Sequence, residues 1–397
     1  MAAGDLVPDV RRIAVLRANA LGDFIFVLPA LAALKAAYPE AELVLLGAPW
    51  HAALFDGRRP GPVDRVLVVP PAPGIRVAGA DEPDVPLGDF LAAARRERFD
   101  LAVQLHGGGA NSNPLILDLG ARLTVGLRAP DAPPLDRWLR YVIYQPEPVR
   151  YLEVVGLVGA RPVDRAPRLA VTEADRAEAS AVTGPVGRPR VALHPGATDP
   201  RRRWPAERFA AVADRLVDGG YDVFVTGSAA ERELTARVVA AARAPVRDLT
   251  GELSLSGLVG FLAGCAVLVA NDTGPVHLAA AVGTATVGIF WVGNMINCAT
   301  PLRARHRPII SWTLHCPVCG ADCTRDIYPD RPGEGCEHRE SFVTDVPVSE
   351  VLTAVADLTV TGAVTGAVTG AGAGAVTGAA TGAGAAATGG SDPVNRS

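Results

Sequence analysis

The chain has 397 residues, 49% of them apolar, and a formal charge of −4, enough for a large buried core and two or three domains of ordinary size. Such a charge creates no broad positive field, which argues against stable binding to a nucleic-acid backbone. Lys35 is the only lysine and reads as a solvated helix charge, which argues against Schiff-base chemistry.

The first residues, MAAGDLVPDVRR, carry acids where a secretory signal needs a positive start and an apolar stretch, so a cytoplasmic location is expected. RRIAVLRANALGDFIFVLPALAALKAAYPEAELVLLGAP then predicts a strand over 12–17, a turn, a helix over 23–37 and a strand over 42–47, which make a βαβ unit. LAVQL (101–105) and the run 123–127 predict two more strands with a helix over 115–119 between them. Residues 128–149 are rich in proline and arginine, lack a period, and read either as a mobile loop over a cleft or as a surface excursion.

A second α/β series follows a Pro/Arg-rich connection at about 160–188. It runs from the strand RVALHPGA through the helix RFAAVADRLVDG, the strand YDVFVTGS and a helix over 230–243 to AVLVAND, another helix and TVGIF. The stretch 273–302 lacks Asp, Glu, Lys and Arg and is long enough to span a bilayer. Gly283 and TVGIF interrupt it, so a helix followed by a buried parallel strand is expected and no transmembrane segment. VSEVLTAVADL predicts a C-terminal helix over 346–358. The VTG and Gly/Ala repeats over 359–397 cannot bury enough surface to offset chain entropy and are expected to be disordered.

Four places carry candidate chemistry. The turn ANALGD joins the first strand to its helix at the carboxyl edge of the sheet, where open α/β folds bind ligands; Asp23 there either caps the helix or faces a ligand. The turn lacks GxGxxG spacing, which disfavours a nicotinamide dehydrogenase. HPGATDPRRRWPAERF offers Arg201, Arg202 and Arg203 as a clamp for a diphosphate, or as a solvated run. VTGSAAERE places Glu231 where it accepts from a ribose diol or caps a helix. In NDTGPVHLAAAVG, Asp272 closes a strand, Thr273 and Gly274 open a helix at Pro275, and His277 projects from its first turn. Free N–H groups at such a helix mouth receive anions.

LGD with a Pro six residues on, HPGA…RRWPAERF, GSxxE and NDTGPVHLAAAVG, in that order, resemble glycosyltransferase family 9, the heptosyltransferase type, over about 12–357. The resemblance implies an α/β fold of GT-B architecture, with two Rossmann-like domains facing a cleft: an acceptor domain over 1–175 and a nucleotide-sugar domain over 176–345, which includes a Cys-rich insertion over 315–338. It further implies an inverting transferase that needs no catalytic metal or other cofactor. The donor would be a nucleotide sugar of the ADP-heptose kind and the acceptor a glycan or glycolipid, with peripheral membrane contact in the latter case. On this sequence Asp23 would be the general base. Thr198, Arg202, Glu231, Asp272, Thr273, Gly274 and His277 would bind the donor: Glu231 at the ribose, Asp272 at sugar hydroxyls, His277 on the phosphate side. The family commonly has lysine where Arg202 stands, and arginine replaces a compact ammonium with a planar fork. A nucleotide-sugar epimerase and a non-catalytic nucleotide-sugar-binding protein are the alternative readings.

Four of six cysteines crowd into HCPVCGADC…GCEH. Cys316, Cys319, Cys323 and Cys336, flanked by His315 and His338, are candidate ligands of a structural zinc. Disulfides and plain reduced thiols are the alternatives, the former disfavoured in a reducing cytoplasm. Cys265 and Cys298 read as core residues.

Overall fold

Strands with near-continuous apolar runs are buried on both faces and fit parallel sheets covered by helices. The computed structural model describes residues 4–55, 59–79, 82–185, 187–300, 302–324 and 336–369, with side chains up to 359. It contains two such sheets. The first comprises β1 (Arg12–Leu16), β2 (Glu42–Gly47), β3 (Arg65–Val68), β4 (Leu101–Gln104), β5 (Leu123–Arg128) and β6 (Arg137–Arg140), all parallel, in the order β3-β2-β1-β4-β5-β6. The second comprises β7 (Arg190–His194), β8 (Asp222–Val225), β9 (Arg247–Asp248), β10 (Val267–Asn271), β11 (Ala285–Trp291) and β12 (His306–Ser311), also parallel, in the order β12-β11-β10-β7-β8-β9. Both are the Rossmann order. Strand direction of winding reverses between β1 and β4 and again between β7 and β10, and ligands of open α/β sheets sit beyond the carboxyl ends of such pairs.

The helices over the first sheet are α1 (Leu21–Ile25), α2 (Leu28–Ala37), α3 (Pro49–Leu54), α4 (Leu87–Arg96), α5 (Ser112–Asp118) and α6 (Glu147–Gly156). Then come α7 (Glu173–Thr183), α8 (Ala206–Asp218), α9 (Arg232–Ala241), α10 (Leu255–Ala263), α11 (Gly274–Ala281), α12 (Val292–Cys298) and α13 (Val348–Thr369). The helix expected over 23–37 is two helices. Pro29, at the second position of α2, has no N–H to continue a helix from α1, so the chain turns at Phe26–Val27 and starts again. Residues 128–149 are not without regular structure: Arg137–Arg140 form the edge strand β6 on β5. Its charged and aromatic residues hid a strand that has one open edge.

The stretch 273–302 resolves into α11, β11 and α12, and no helix among the described residues is long and apolar enough to cross a membrane. The last helix runs to Thr369, beyond the expected end at 358 and into the segment expected to be disordered. Once nucleated, a helix extends through Ala- and Val-containing sequence at little further cost. Residues 370–397 of that segment lie outside the described residues.

Residues up to Thr359 form one compact unit. A single apolar cluster runs from Ile13 and Leu31 through Val154 to Phe261, Val276 and Phe290, and so belongs to both sheets. The halves are joined further by the Leu169 N–H bonded to Ala281 O at 3.0 Å, and a buried Arg59–Asp175 ion pair at 2.8 Å fastens the start of α7.

Candidate active site

A cavity of about 330 Å³ lies beyond the carboxyl ends of β7 and β8. Thr198, Glu231, Thr273 and Gly274 line it together with His194 and Thr226, and Ala20, Leu21 and Gly22 close it from the first half. Four of the eight candidate residues thus meet in one chamber. Glu231 caps as well as faces the cavity: its Oε2 accepts from the Ser228 N–H at 2.8 Å and hydroxyl at 2.9 Å, while Oε1 stands 3.9 Å from His194 Nε2. A side chain on Gly196 would overlap Oε1, which explains the glycine of HPGA. Burial holds His194 below the ordinary imidazole range against the opposing charge of Glu231, so the ring facing the cavity is neutral.

Asp272, Arg202 and His277 form a second group beside that chamber. The Asp272 carboxylate is buried and engaged on all sides: Arg202 Nη1 donates to Oδ2 at 3.2 Å, Asn294 Nδ2 donates to Oδ2 at 2.8 Å, and His277 Nε2 lies 3.3 Å from Oδ1. Burial raises its pKa, but these partners, His277 first, hold it below the usual carboxylate range. A carboxylate so engaged orients Arg202, Asn294 and His277 around it. His277 packs its ring 4.5 Å from that of Phe26 and against Gly22. The three arginines are each tied to a different neighbour. Arg201 is held by Asp199 at 2.7 Å and Arg203 donates to Ala197 O at 2.8 Å, which leaves Arg202 to bridge Asp272. Asp199 caps the short turn that carries Arg201, so its side chain is the nearer partner.

In the first half, Asp23 is the third residue of α1, and the helix has no side-chain cap at Ala20. The capping reading therefore gives way. Asp23 Oδ1 lies 3.1 Å from Arg17 Nη2 and Oδ2 accepts from Asn19 Nδ2 at 2.7 Å. Its side chain is still 39% exposed, so it is oriented and reachable at once. Arg17 is buried beneath it and also donates to Asp23 O at 3.1 Å, Leu105 O at 2.6 Å and Tyr151 Oη at 2.7 Å. Burial opposes its charge, but Tyr151, Asp23 and Glu147 more than offset that and raise its pKa.

A larger cavity of about 990 Å³ is lined wholly by the first half, including Asn19, Ala20, Trp50, Arg76, Glu82 and His106. His106 Nδ1 accepts from the Ala18 N–H at 3.3 Å, and its Nε2 lies 3.2 Å from Gly74 O. Burial, then the nearby Arg17 charge, pushes it down to about 4, so the ring is neutral with its proton on Nε2.

Charges of both halves converge on Cys298. Burial pushes its thiol well above the ordinary range, and Asp272, Glu147 and Asp23 push it further. The sequence reading missed Arg17, Asn19, Asn271 and Asn294. Asn271 accepts from the Trp204 N–H at 3.0 Å and donates to Pro195 O at 2.8 Å, fastening the 195–204 loop to the end of β10. Its place beside Asp272 in a buried strand was the available signal, because a buried amide needs partners.

The cysteine segment differs from expectation in one ligand. Cys316, Cys319, Cys336 and His338 bring one ligand atom each within 4.8 Å of all the others. Cys323 is outside this group; its buried thiol lies 3.5 Å from Ala321 O. All six cysteines are free of disulfides.

The profile of glycosyltransferase family 9 (heptosyltransferase) matches residues 92–325, more than half of the chain. Lipopolysaccharide heptosyltransferase 2 of Escherichia coli (strain K12) is 37% identical over 108 residues, which cover 26% of this chain and 31% of that protein. The chain thus matches about a third of the length of this curated relative. A glycosyl transferase family 9 structure from Veillonella parvula superposes with a TM-score of 0.69 at 20% identity, covering 91% of this chain and 99% of the other. The E. coli ADP-heptose LPS heptosyltransferase II superposes with a TM-score of 0.66 at 20% identity, covering 89% and 99%. At that identity the likeness speaks for the GT-B fold. With two parallel sheets in Rossmann order and a family match over all of the second and part of the first, the chain belongs to glycosyltransferase family 9.

Proposed function

We propose that the chain is an inverting glycosyltransferase that moves a heptose from ADP-heptose to a glycan or glycolipid acceptor in the cytoplasm. Residues 1–175 take the acceptor in the 990 Å³ cavity, and residues 176–345 take the donor nucleotide in the 330 Å³ cavity. The observation that carries this reading is Asp23, held by Arg17 and by Asn19, a wall residue of the larger cavity, and next in the chain to Gly22, a wall residue of the smaller one.

In the proposed reaction an acceptor hydroxyl gives its proton to the Asp23 carboxylate as its oxygen attacks the anomeric carbon. The carbon–oxygen bond to the diphosphate breaks, and its electron pair leaves with the nucleotide. N–H groups at the mouth of α11, at Thr273 and Gly274, meet the growing negative charge together with Arg202. These groups supply the electrostatic stabilisation, and the scheme requires no metal at the diphosphate. Thr198 and Glu231 contact the nucleoside end, where a carboxylate accepts from a ribose diol. Asp272 and His277 act at one remove, by holding Arg202 and the approach of α1 to α11.

Asp23→Asn tests this reading. Transfer from ADP-heptose should fall by about 10²- to 10⁴-fold, the usual weight of a general base, with ADP affinity by calorimetry unchanged. Retained transfer removes Asp23 from the mechanism. Conversion of the donor without any acceptor points to an epimerase instead.

A further inference from the structure

The cysteine segment lies outside the proposed chemistry and presents four metal-binding side chains in one cluster. Cys319 Sγ lies 3.7 Å from Cys336 Sγ, and Cys336 Sγ lies 3.5 Å from His338 Nδ1. A tetrahedral zinc with ordinary bond lengths sets its sulfurs about 3.8 Å apart and sulfur from nitrogen about 3.6 Å apart. These two pairs have those spacings, and all four ligand atoms lie within 4.8 Å of one another.

The backbone also suits the site. Cys316 N bonds to Ala321 O at 2.8 Å and Gly320 N to Cys316 O at 2.9 Å, closing a turn in which Gly320 takes a φ of +76°. This turn aims the Val318 N–H at Cys316 Sγ at 3.5 Å, a donor that stabilises a thiolate. Three thiolates and an imidazole suit a borderline-soft divalent ion, zinc first among the class. Four protein ligands complete its tetrahedron and leave no open position, as in structural sites.

We propose that Cys316, Cys319, Cys336 and His338 bind one structural zinc-class ion that fixes the loop bearing Arg202. Just beyond His338, the Ser341 hydroxyl donates to Arg203 O at 2.6 Å and the Phe342 N–H donates to Arg201 O at 2.7 Å. The Arg201 guanidinium lies over the Phe342 ring at 5.7 Å. Segment 336–342 therefore grips both neighbours of Arg202, and a metal that clips this segment to 316–319 anchors the grip. The link to donor binding rests on the donor role proposed for Arg202; the metal site does not.

The test uses the full chain, purified under reducing conditions without an affinity tag that binds metal. Mass-spectrometric metal analysis should find about one zinc per chain. Cobalt(II) added to the stripped chain should give tetrahedral ligand-field bands and thiolate-to-cobalt charge transfer. His338→Ala and Cys319→Ser should each weaken metal binding by more than about tenfold, the cost of losing even an outer-shell partner, whereas Cys323→Ser should keep the metal and its cobalt spectrum. A chain without stoichiometric zinc that also gives no tetrahedral cobalt spectrum overturns the site. Loss of metal in Cys323→Ser with retention in His338→Ala overturns the ligand set. Stripping should also weaken ADP binding severalfold; unchanged ADP affinity overturns the link to Arg202 while the spectra still report on the metal.

Discussion

Gly22 and Gly274 meet where the first turns of α1 and α11 touch: a Cβ built on Gly274 would stand 3.3 Å from Gly22 N, and one on Gly22 would stand 3.0 Å from His277 Cδ2. The two helix mouths can approach this closely because both residues lack a side chain. Gly274→Ala asks its neighbours to give by a few tenths of an ångström, but Gly274→Val cannot be absorbed against Leu21. The valine variant should lose about 10² in kcat/KM, the cost of misplacing reacting groups by roughly an ångström, and the alanine variant much less. Steady-state kinetics on the pair, with melting curves to confirm folding, check this; equal activity of the valine variant and the parent would sink the claim.

Arg17 should behave as a positioning residue for Asp23. Arg17→Met removes the 3.1 Å ion pair with Asp23 and strips partners from Leu105 O and Tyr151 Oη. Stability should fall by about 2–4 kcal/mol, as for a buried charge network that loses one member. The rate should fall through kcat, with KM for the donor nearly unchanged, because no donor-cavity residue is touched. Arg17→Lys should restore stability in part but not kcat, since a point charge cannot replace the fork that reaches four partners. A shift confined to the donor KM would contradict this.

Acid should unfold the protein early. His51, His106 and His306 are buried, and burial pushes them from 6.5 down to about 3, about 4 and about 4. The unfolded chain takes up protons on all three near pH 6.5, whereas the folded chain does so only near its depressed values. Between these limits the unfolded state binds more protons, so stability falls with falling pH, by up to about 1.4 kcal/mol per pH unit for each histidine. Asp272 adds a later loss. Its folded pKa is below the ordinary value, so its contribution is present above about pH 4 and disappears as pH drops through the folded value. Melting temperature followed from pH 7 to about 4 should decline throughout; a flat profile over that range would contradict the neutral buried histidines.

The legible parts of the sequence were those set by apolar runs. IAVL, LVLL, VLVA and VGIF fill buried strands and could be placed without a structure. Strands β3, β6, β9 and β12 could not, because edge positions accept Arg65, Arg137 and Arg247, which break the apolar signal. In the candidate site, the backbone-borne features were readable: the strand end at Asp272 and the helix mouth at Gly274. Side-chain direction was not. Nothing local told Arg202 from Arg201, whose capture by Asp199 depends on a short capped turn. Nor could spacing choose His338 over Cys323, since the choice depends on how 336–338 returns to the first cysteine turn.

Ala20 belongs to the walls of both cavities. Under the proposed reaction, the two substrates are therefore separated at that point by one small residue. A single position then governs the shape offered to both, and any bulk added there is felt by donor and acceptor together. Recognition of the acceptor can diversify through Trp50, Arg76 or Glu82, and recognition of the nucleotide through Thr198 or Glu231. At Ala20 the two specificities can only change as one.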